Sequence, residues 1–498
     1  MKKRAFIIIG ILALIVALPL GLRRHTSMGD SRNADDQLVI LTPHNESIRA
    51  EFAEAFARWW KIRTNRSVHI DWRTPGGTSE IRMVLDAGFQ AAEETGRPGI
   101  GVDLLFGGGE PDFSSQSRKG RFVPLWIFQS APELFAADGP IPPTFTGERY
   151  HPDEKDWVGT CLSQFGICYN PDFLARIGIS PPLSWRDLGD PRYAGSLALA
   201  DPTKSGSVAR TFELIIQGEM QQFMRQQPDN PNAGSDGWQE GLRLIQRISA
   251  NSRYFTDSAS KIPHDVAQGN AAAGMCIDFY GRSYASELST RDGRPRIVWI
   301  APNQGTTLSC DPIAVLKGAP SQETAQAFVE FCLTEESQQL WFGRPGTTNG
   351  PIRRALHRLP IRRDAYTTEA MRNSTLASGN PYDDVGNFVY QRKLTGASFN
   401  TLRQLVKVMC IDSHKEMQEA WELMAAAGMP DDAVQVFHDV SRATYDIAGQ
   451  GDPRFDKASP LEVAEYSSDL GQWFRDNYRM AAERARQHIA SSTRKPQP

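Results

Sequence analysis

Leu38-Val39-Ile40-Leu41 carries no polar side chain on either face, and this run constrains the fold more than any other. A strand apolar on both faces must be covered on both, which is the condition of a parallel sheet sandwiched between helices. The next segments agree. Ile48, Phe52, Phe56 and Trp59 recur on one helical face, and then Val68, Ile70 and Trp72 alternate with polar residues as a strand does. A second amphipathic helix around Ile81, Val84, Leu85 and Phe89 leads into a strand over 102–106. The succession β-α-β-α-β predicts an α/β fold with a parallel sheet.

A second block begins near Asp156, with strands expected over 166–169, 196–200 and 271–277. Strands over 296–301 and 311–316 then precede a helix carrying Ala325, Phe328 and Phe331. Past Gly350 the pattern becomes helical, with no strand expected. Leu402, Leu405, Val406 and Met409 share one face, and Ser459-Pro460-Leu461-Glu462 has the form of a capping box with proline at the first helical position. A chain of 498 residues is too long for one core and implies several domains.

The N-terminus reads as a targeting segment. Lys2, Lys3 and Arg4 precede an uncharged run over 5–22, and Arg23 and Arg24 close it. Such a pattern is an export signal. The run also approaches the ~17–25 residues that span a bilayer, and no small-x-small cleavage site is evident after it. Residues 1–36 are therefore expected to be an export signal or an anchor, with 5–22 as an uncleaved transmembrane tether holding the rest outside the cytoplasmic membrane. A net charge of −3, without a Lys/Arg run interleaved with aromatics, speaks against nucleic acid as a partner. The six cysteines show no CxxC or metal-finger spacing and sit mostly among apolar neighbours, so at most one disulfide is expected.

Four strand ends are rich in hydrogen-bonding groups, and ligands of open α/β sheets collect where strands end. The first strand runs into Thr42-Pro43-His44-Asn45-Glu46 just before a helix. The strand through Phe106 ends in Gly107-Gly108-Gly109-Glu110, where glycines allow backbone amides to approach a ligand or simply form a turn. The strand ending at Ala200 leads to Ser205-Gly206-Ser207 at a helix start, which suits an anion or ordinary N-capping. The strand through Ile277 is followed by Asp278, Tyr280 and Arg282: a carboxylate, a phenol and a guanidinium. These four ends define the candidate ligand site: His44, Asn45, Gly108, Gly109, Glu110, Ser205, Gly206, Ser207, Asp278, Tyr280 and Arg282. Catalytic signatures are absent. The nine histidines form no HExxH or HxH pair, and there is no G-x-S-x-G elbow, Walker loop or dinucleotide fingerprint.

Taken in order, these segments resemble the extracellular solute-binding proteins of bacterial ABC importers, in the branch of ferric-ion and organophosphate binders. The resemblance is carried by Leu38 to Glu46, Asp103 to Phe106 with its glycine turn, and Tyr169-Asn170-Pro171. It continues through Ser184-Trp185-Arg186-Asp187-Leu188, Pro202 to Gly206, Ile277 to Arg282 and Pro312 to Pro320. It implies a two-lobed periplasmic-binding-protein fold (class II-like) with a C-terminal helical extension. Lobe 1 is expected over 37–157 with 300–350, lobe 2 over 158–299, and the extension over 351–498. The resemblance also implies a monomeric, non-enzymatic protein without a cofactor, which traps a small ligand and passes it to an inner-membrane ABC permease. A tethered sensor or accessory protein on the same scaffold is the alternative, followed by an exported enzyme. For a ferric ligand the resemblance implies His44, Glu110 and Tyr280 as metal donors. Ferric relatives carry two adjacent tyrosines, whereas this chain has Phe279 before Tyr280. The other ligand class is a phosphate, phosphonate or carboxylate held by Tyr280, Arg282 and the Ser205–Ser207 loop.

Overall fold

The opening apolar strand, β1 (Asp36–Leu41), lies inside a six-stranded sheet in the computed structural model, which describes residues 34–288, 293–376, 379–383, 388–456 and 458–493. Strands β2 (Val68–Arg73) and β3 (Leu104–Phe106) flank it, both parallel to it. The helices Glu46–Thr64 and Thr78–Glu94 make the crossovers. Leu38 and Ile40 are fully buried, as a strand without a polar face requires. A hairpin, β4 (Thr144–Phe145) with β5 (Glu148–Arg149), precedes β6 (Val158–Ser163). The first sheet runs β13-β6-β12-β3-β1-β2, where β12 is Ser309–Val315 and β13 is Leu359–Pro360.

Between Ser163 and Phe165 the chain leaves this sheet and starts a second. That sheet is ordered β11-β7-β10-β8-β9 and comprises β7 (Phe165–Tyr169), β8 (Leu197–Ala200), β9 (Ser252–Thr256), β10 (Ala273–Ile277) and β11 (Val298–Ile300). Strands β8, β9 and β10 are parallel, and β7 and β11 form an antiparallel margin. The chain returns between Ile300 and Ser309. Two α/β lobes joined by crossing strands result. Because β6 pairs with β12 and β13, the crossing falls after Ser163 and not at the expected 158.

The expectation of no strand past Gly350 is corrected by β13, which pairs Leu359 with Leu162 and is too short to give a periodic signal. The last part of the chain divides between the lobes. Leu356, Ile361, Tyr366 and Tyr382 belong to the first core, whereas Leu402, Met409, Trp421, Phe437 and Tyr478 form one continuous core with Phe212, Trp238 and Ile248 of the second lobe. The capping box opens the long helix Pro460–Thr493: Ser459 N–H donates to Glu462 Oε2 at 2.7 Å, and Glu462 N–H to Ser459 Oγ at 3.4 Å.

The expectation of a membrane-spanning, tethering helix is corrected. Among the described residues no helix is long and apolar enough to cross a membrane, and the run over 5–22 lies outside them. All six cysteines are buried and unpaired.

Candidate functional site

Between the lobes lies a cleft of about 750 Å³, lined from both sides by loops at the carboxyl ends of strands. Pro43 to Asn45 follow β1, Gly76 to Thr78 follow β2, and Gly108 to Asp112 follow β3. From the second lobe come Lys204 to Ser207 after β8, Asp257 to Lys261 after β9, and Ile277 to Tyr280 after β10. Each loop ends in a helix, so six helix N-termini face one cavity. A helix N-terminus presents unpaired N–H groups and about half a positive charge.

Only two of these N-termini carry a side-chain cap. The Asn45 carboxamide oxygen accepts from Ile48 N–H at 3.1 Å, and Ser205 Oγ accepts from Val208 N–H at 3.4 Å. The helices Thr78–Glu94, Glu110–Arg118, Lys261–Gln268 and Asp278–Glu287 have no side-chain hydrogen bond at their caps. Gly77 and Gly109 occupy two of those caps, which leaves the backbone amides open to the cavity.

Two arginines border the cleft. Arg210 is fully engaged, 2.5 Å from both Glu148 and Glu213 and stacked 3.7 Å from the Tyr390 ring centroid. Arg358 is different. Its Nη2 reaches Asp311 Oδ2 and donates to Ser163 Oγ, both at 2.6 Å, while Nε and Nη1 find no hydrogen-bond partner among the described residues. The residue has no exposed surface, and its guanidinium lies 4.4 Å from the centroid of the Phe279 ring, which itself lines the cleft. A buried donor left unmade costs ~1–3 kcal/mol, more when charged. Burial lowers the Arg358 pKa, but Asp311, Cys161 and Asp278 together more than offset it, so the guanidinium stays charged.

Residues 103–345 match the family of bacterial extracellular solute-binding proteins. Over that stretch, just under half of its length, the chain is similar to that family. Over 183 residues it is 25% identical to the phosphoglycerate transport regulatory protein PgtC of Salmonella typhimurium, covering 37% of this chain and 40% of that protein. Over 177 residues it is 27% identical to an uncharacterized Haemophilus influenzae protein, covering 35% and 44% respectively. The chain thus spans less than half the length of these curated relatives. In structure it is similar to the periplasmic binding protein AfuA from Actinobacillus pleuropneumoniae with fructose-6-phosphate bound, at 18% identity and a TM-score of 0.49, covering 71% of this chain and 94% of that one.

His44, Asn45, Gly108, Gly109, Glu110, Ser205, Gly206, Ser207 and Tyr280 all line the one cleft. Asp278 and Arg282 do not. Asp278 is fully buried and 2.8 Å from Arg282 Nη1, and the Arg282 guanidinium stacks 5.1 Å from the Trp299 ring centroid, so this pair is spent on holding β10 and its helix together. His44 lies against Phe106 at 4.6 Å between ring centroids and beside Gly107, whose φ of +86° and 2.4 Å gap between an added Cβ and His44 Nε2 admit only glycine. Burial, with Arg358 and Arg49 adding repulsion, holds the imidazole pKa well below its usual value and the ring neutral.

Sequence reading missed Arg358, Arg210, Asp311 and the loops at Gly76–Thr78 and Asp257–Lys261. The pair Gly76-Gly77 before a helix repeats the signal used at Gly107–Gly109 and could have been found. Arg358 carries no local signal, because only its pairing beside β13 brings it to the cleft.

Proposed function

We propose that this chain is the solute-binding component of an ABC importer, closing its two lobes on a small phosphorylated organic anion and presenting it to a membrane permease. The observation that carries this reading is the convergence of six helix N-termini, four without side-chain caps, on a cavity bordered by a buried arginine with two unused donors. Oxyanions are the ligands that satisfy such donors in number, and a guanidinium fork matches their geometry. The proposed work is binding and release, with no bond made or broken. The name of the Salmonella relative, a phosphoglycerate transport regulatory protein, supports a phosphorylated ligand.

A ferric ligand fits less well, on the chemistry of its donors. Glu110 Oε1 already accepts from Arg392 at 2.7 Å and from Ser114 at 2.5 Å. Burial pushes the Tyr280 phenol up to about 12, against the phenolate that a hard cation needs. Among the described residues no three His, Cys, Asp or Glu side chains are placed to share a metal.

The test is calorimetric titration of the purified full chain with 3-phosphoglycerate, a hexose phosphate, inorganic phosphate, a dicarboxylate and ferric citrate. Saturable heat with a phosphorylated compound supports the reading, and response to ferric citrate alone removes it. The word regulatory in the relative's name favours a second reading, ligand-dependent sensing with the same cleft. Uptake of the bound compound that depends on this chain and on a permease decides for transport.

A further inference from the structure

The helical part of the extension is bolted to the second lobe. Trp238 Nε1 donates to Ala443 O at 2.8 Å, Trp421 Nε1 to Asn251 Oδ1 at 2.8 Å, and Gln246 Nε2 to Phe437 O at 3.1 Å. Leu402, Leu405 and Val406, on the helix Phe399–Val406, are buried in the same core as Phe212 and Ile216. Any rigid-body motion of the second lobe therefore carries this helix with it.

From that base several groups reach the first lobe. Arg403, almost fully buried, donates through Nη2 to Ser79 Oγ of the first lobe, and through Nε and Nη2 to Pro202 O at 2.8 Å and Thr203 O at 3.0 Å of the second. Ser79 Oγ in turn donates to Thr203 O at 3.0 Å. Arg392 Nη1 meets Glu110 Oε1 at 2.7 Å, and Asn400 Oδ1 accepts from Arg82 at 3.3 Å. Ser79 and Glu110 stand in the first turns of two helices that face the cleft, and Phe399 lines the cleft itself. The lobes also touch directly here: a Cβ added to Gly206 would lie 2.5 Å from Thr78 Oγ1.

We propose that residues 392–403 are a clasp, anchored on the second lobe and gripping the first through Arg403–Ser79 and Arg392–Glu110, which holds the cleft closed even without solute. Rotation about the crossings at 163–165 and 300–309 would separate Ser79, Arg82 and Glu110 from partners that move with the second lobe. Each bridge must then break before solute leaves. Closure of this chain is set jointly by solute and by its own C-terminal extension, so a partner that displaces the extension would release the solute. The link to solute rests on the proposed solute-binding role; the clasp itself does not.

The experiment compares the ligand-free full chain with the double variant Arg392→Ala/Arg403→Ala, by small-angle scattering and by hydrogen exchange over residues 78–82. The expected result is a larger radius of gyration and at least tenfold faster exchange, equivalent to about 1.4 kcal/mol of opening free energy. A cooperatively folded double variant with wild-type scattering and wild-type exchange overturns the clasp. If the double variant does not fold, Arg392→Ala alone, at a partly exposed side chain, removes only the Arg392–Glu110 bridge. Faster exchange over 78–82 then supports the clasp, and an unchanged rate overturns it. Failure of every anion to bind, with the scattering difference present, would remove the solute reading and leave the clasp standing.

Discussion

Replacing Arg358 by lysine separates a ligand-binding role from a structural one. The Arg358 Nη2 group holds Asp311 and Ser163, whereas Nε and Nη1 are unpaired in a side chain with no exposed surface. Lysine keeps a cation for Asp311 and discards the planar fork. In the ligand-free protein the lost donors made no hydrogen bond, so the thermal midpoint falls little. With ligand bound, each charge-assisted hydrogen bond is worth ~1.5–3 kcal/mol. Loss of at least one therefore weakens the anion by about tenfold or more. The Phe279 ring stands over the guanidinium without hydrogen-bonding groups of its own, so Phe279→Leu is expected to keep affinity better than Arg358→Lys does. The assay pairs calorimetric titration of the best anion from the panel with scanning calorimetry of the free protein. A strong drop in midpoint with unchanged affinity would refute the reasoning and make Arg358 a structural residue.

The geometry sets three further outcomes. Gly206→Ala places a methyl group against Thr78 across the lobe junction; it is expected to lower anion affinity by about tenfold with little change in midpoint, overpacking of this kind costing ~1–3 kcal/mol. Trp421→Ala empties a site in the core shared by the second lobe and the extension, and is expected to cost ~3–5 kcal/mol in urea unfolding. His438 is held near pKa 3 by burial, with Arg247 and Arg243 repelling its charge, so the unfolded chain binds the proton first. Its contribution is absent above pH ~6.5 and destabilises as pH falls, reaching about 2 kcal/mol at pH 5. His438→Gln therefore flattens the stability profile between pH 7 and 5, and an unchanged slope would contradict that assignment.

The pattern in the sequence reveals the parts of this molecule that neighbouring residues determine. Leu38 to Leu41 reads as a buried strand because both faces are apolar, and His44, Gly108 and Ser205 read as cleft residues because they come after such strands at the start of helices. The same logic misplaces Asp278 and Arg282: they occupy the right loop, but an i,i+4 pair turns them toward each other. What could not be read depends on pairings far apart in the chain. Arg358 reaches the cleft because Leu359 pairs with Leu162, and Arg403 reaches Ser79 because a helix near the C-terminus shares a core with the second lobe. Neither contact leaves a periodic trace. The extension resembles a separate helical region in sequence because its amphipathic faces are indistinguishable from those of an independent bundle.

The most direct test of the central claim is native mass spectrometry, with metal analysis, of the full chain purified from its own host. The predicted result is a metal-free protein carrying one small phosphorylated adduct, lost on Arg358→Lys. One iron per chain and no organic anion would contradict it, and would return His44, Glu110 and Tyr280 to the centre of the site.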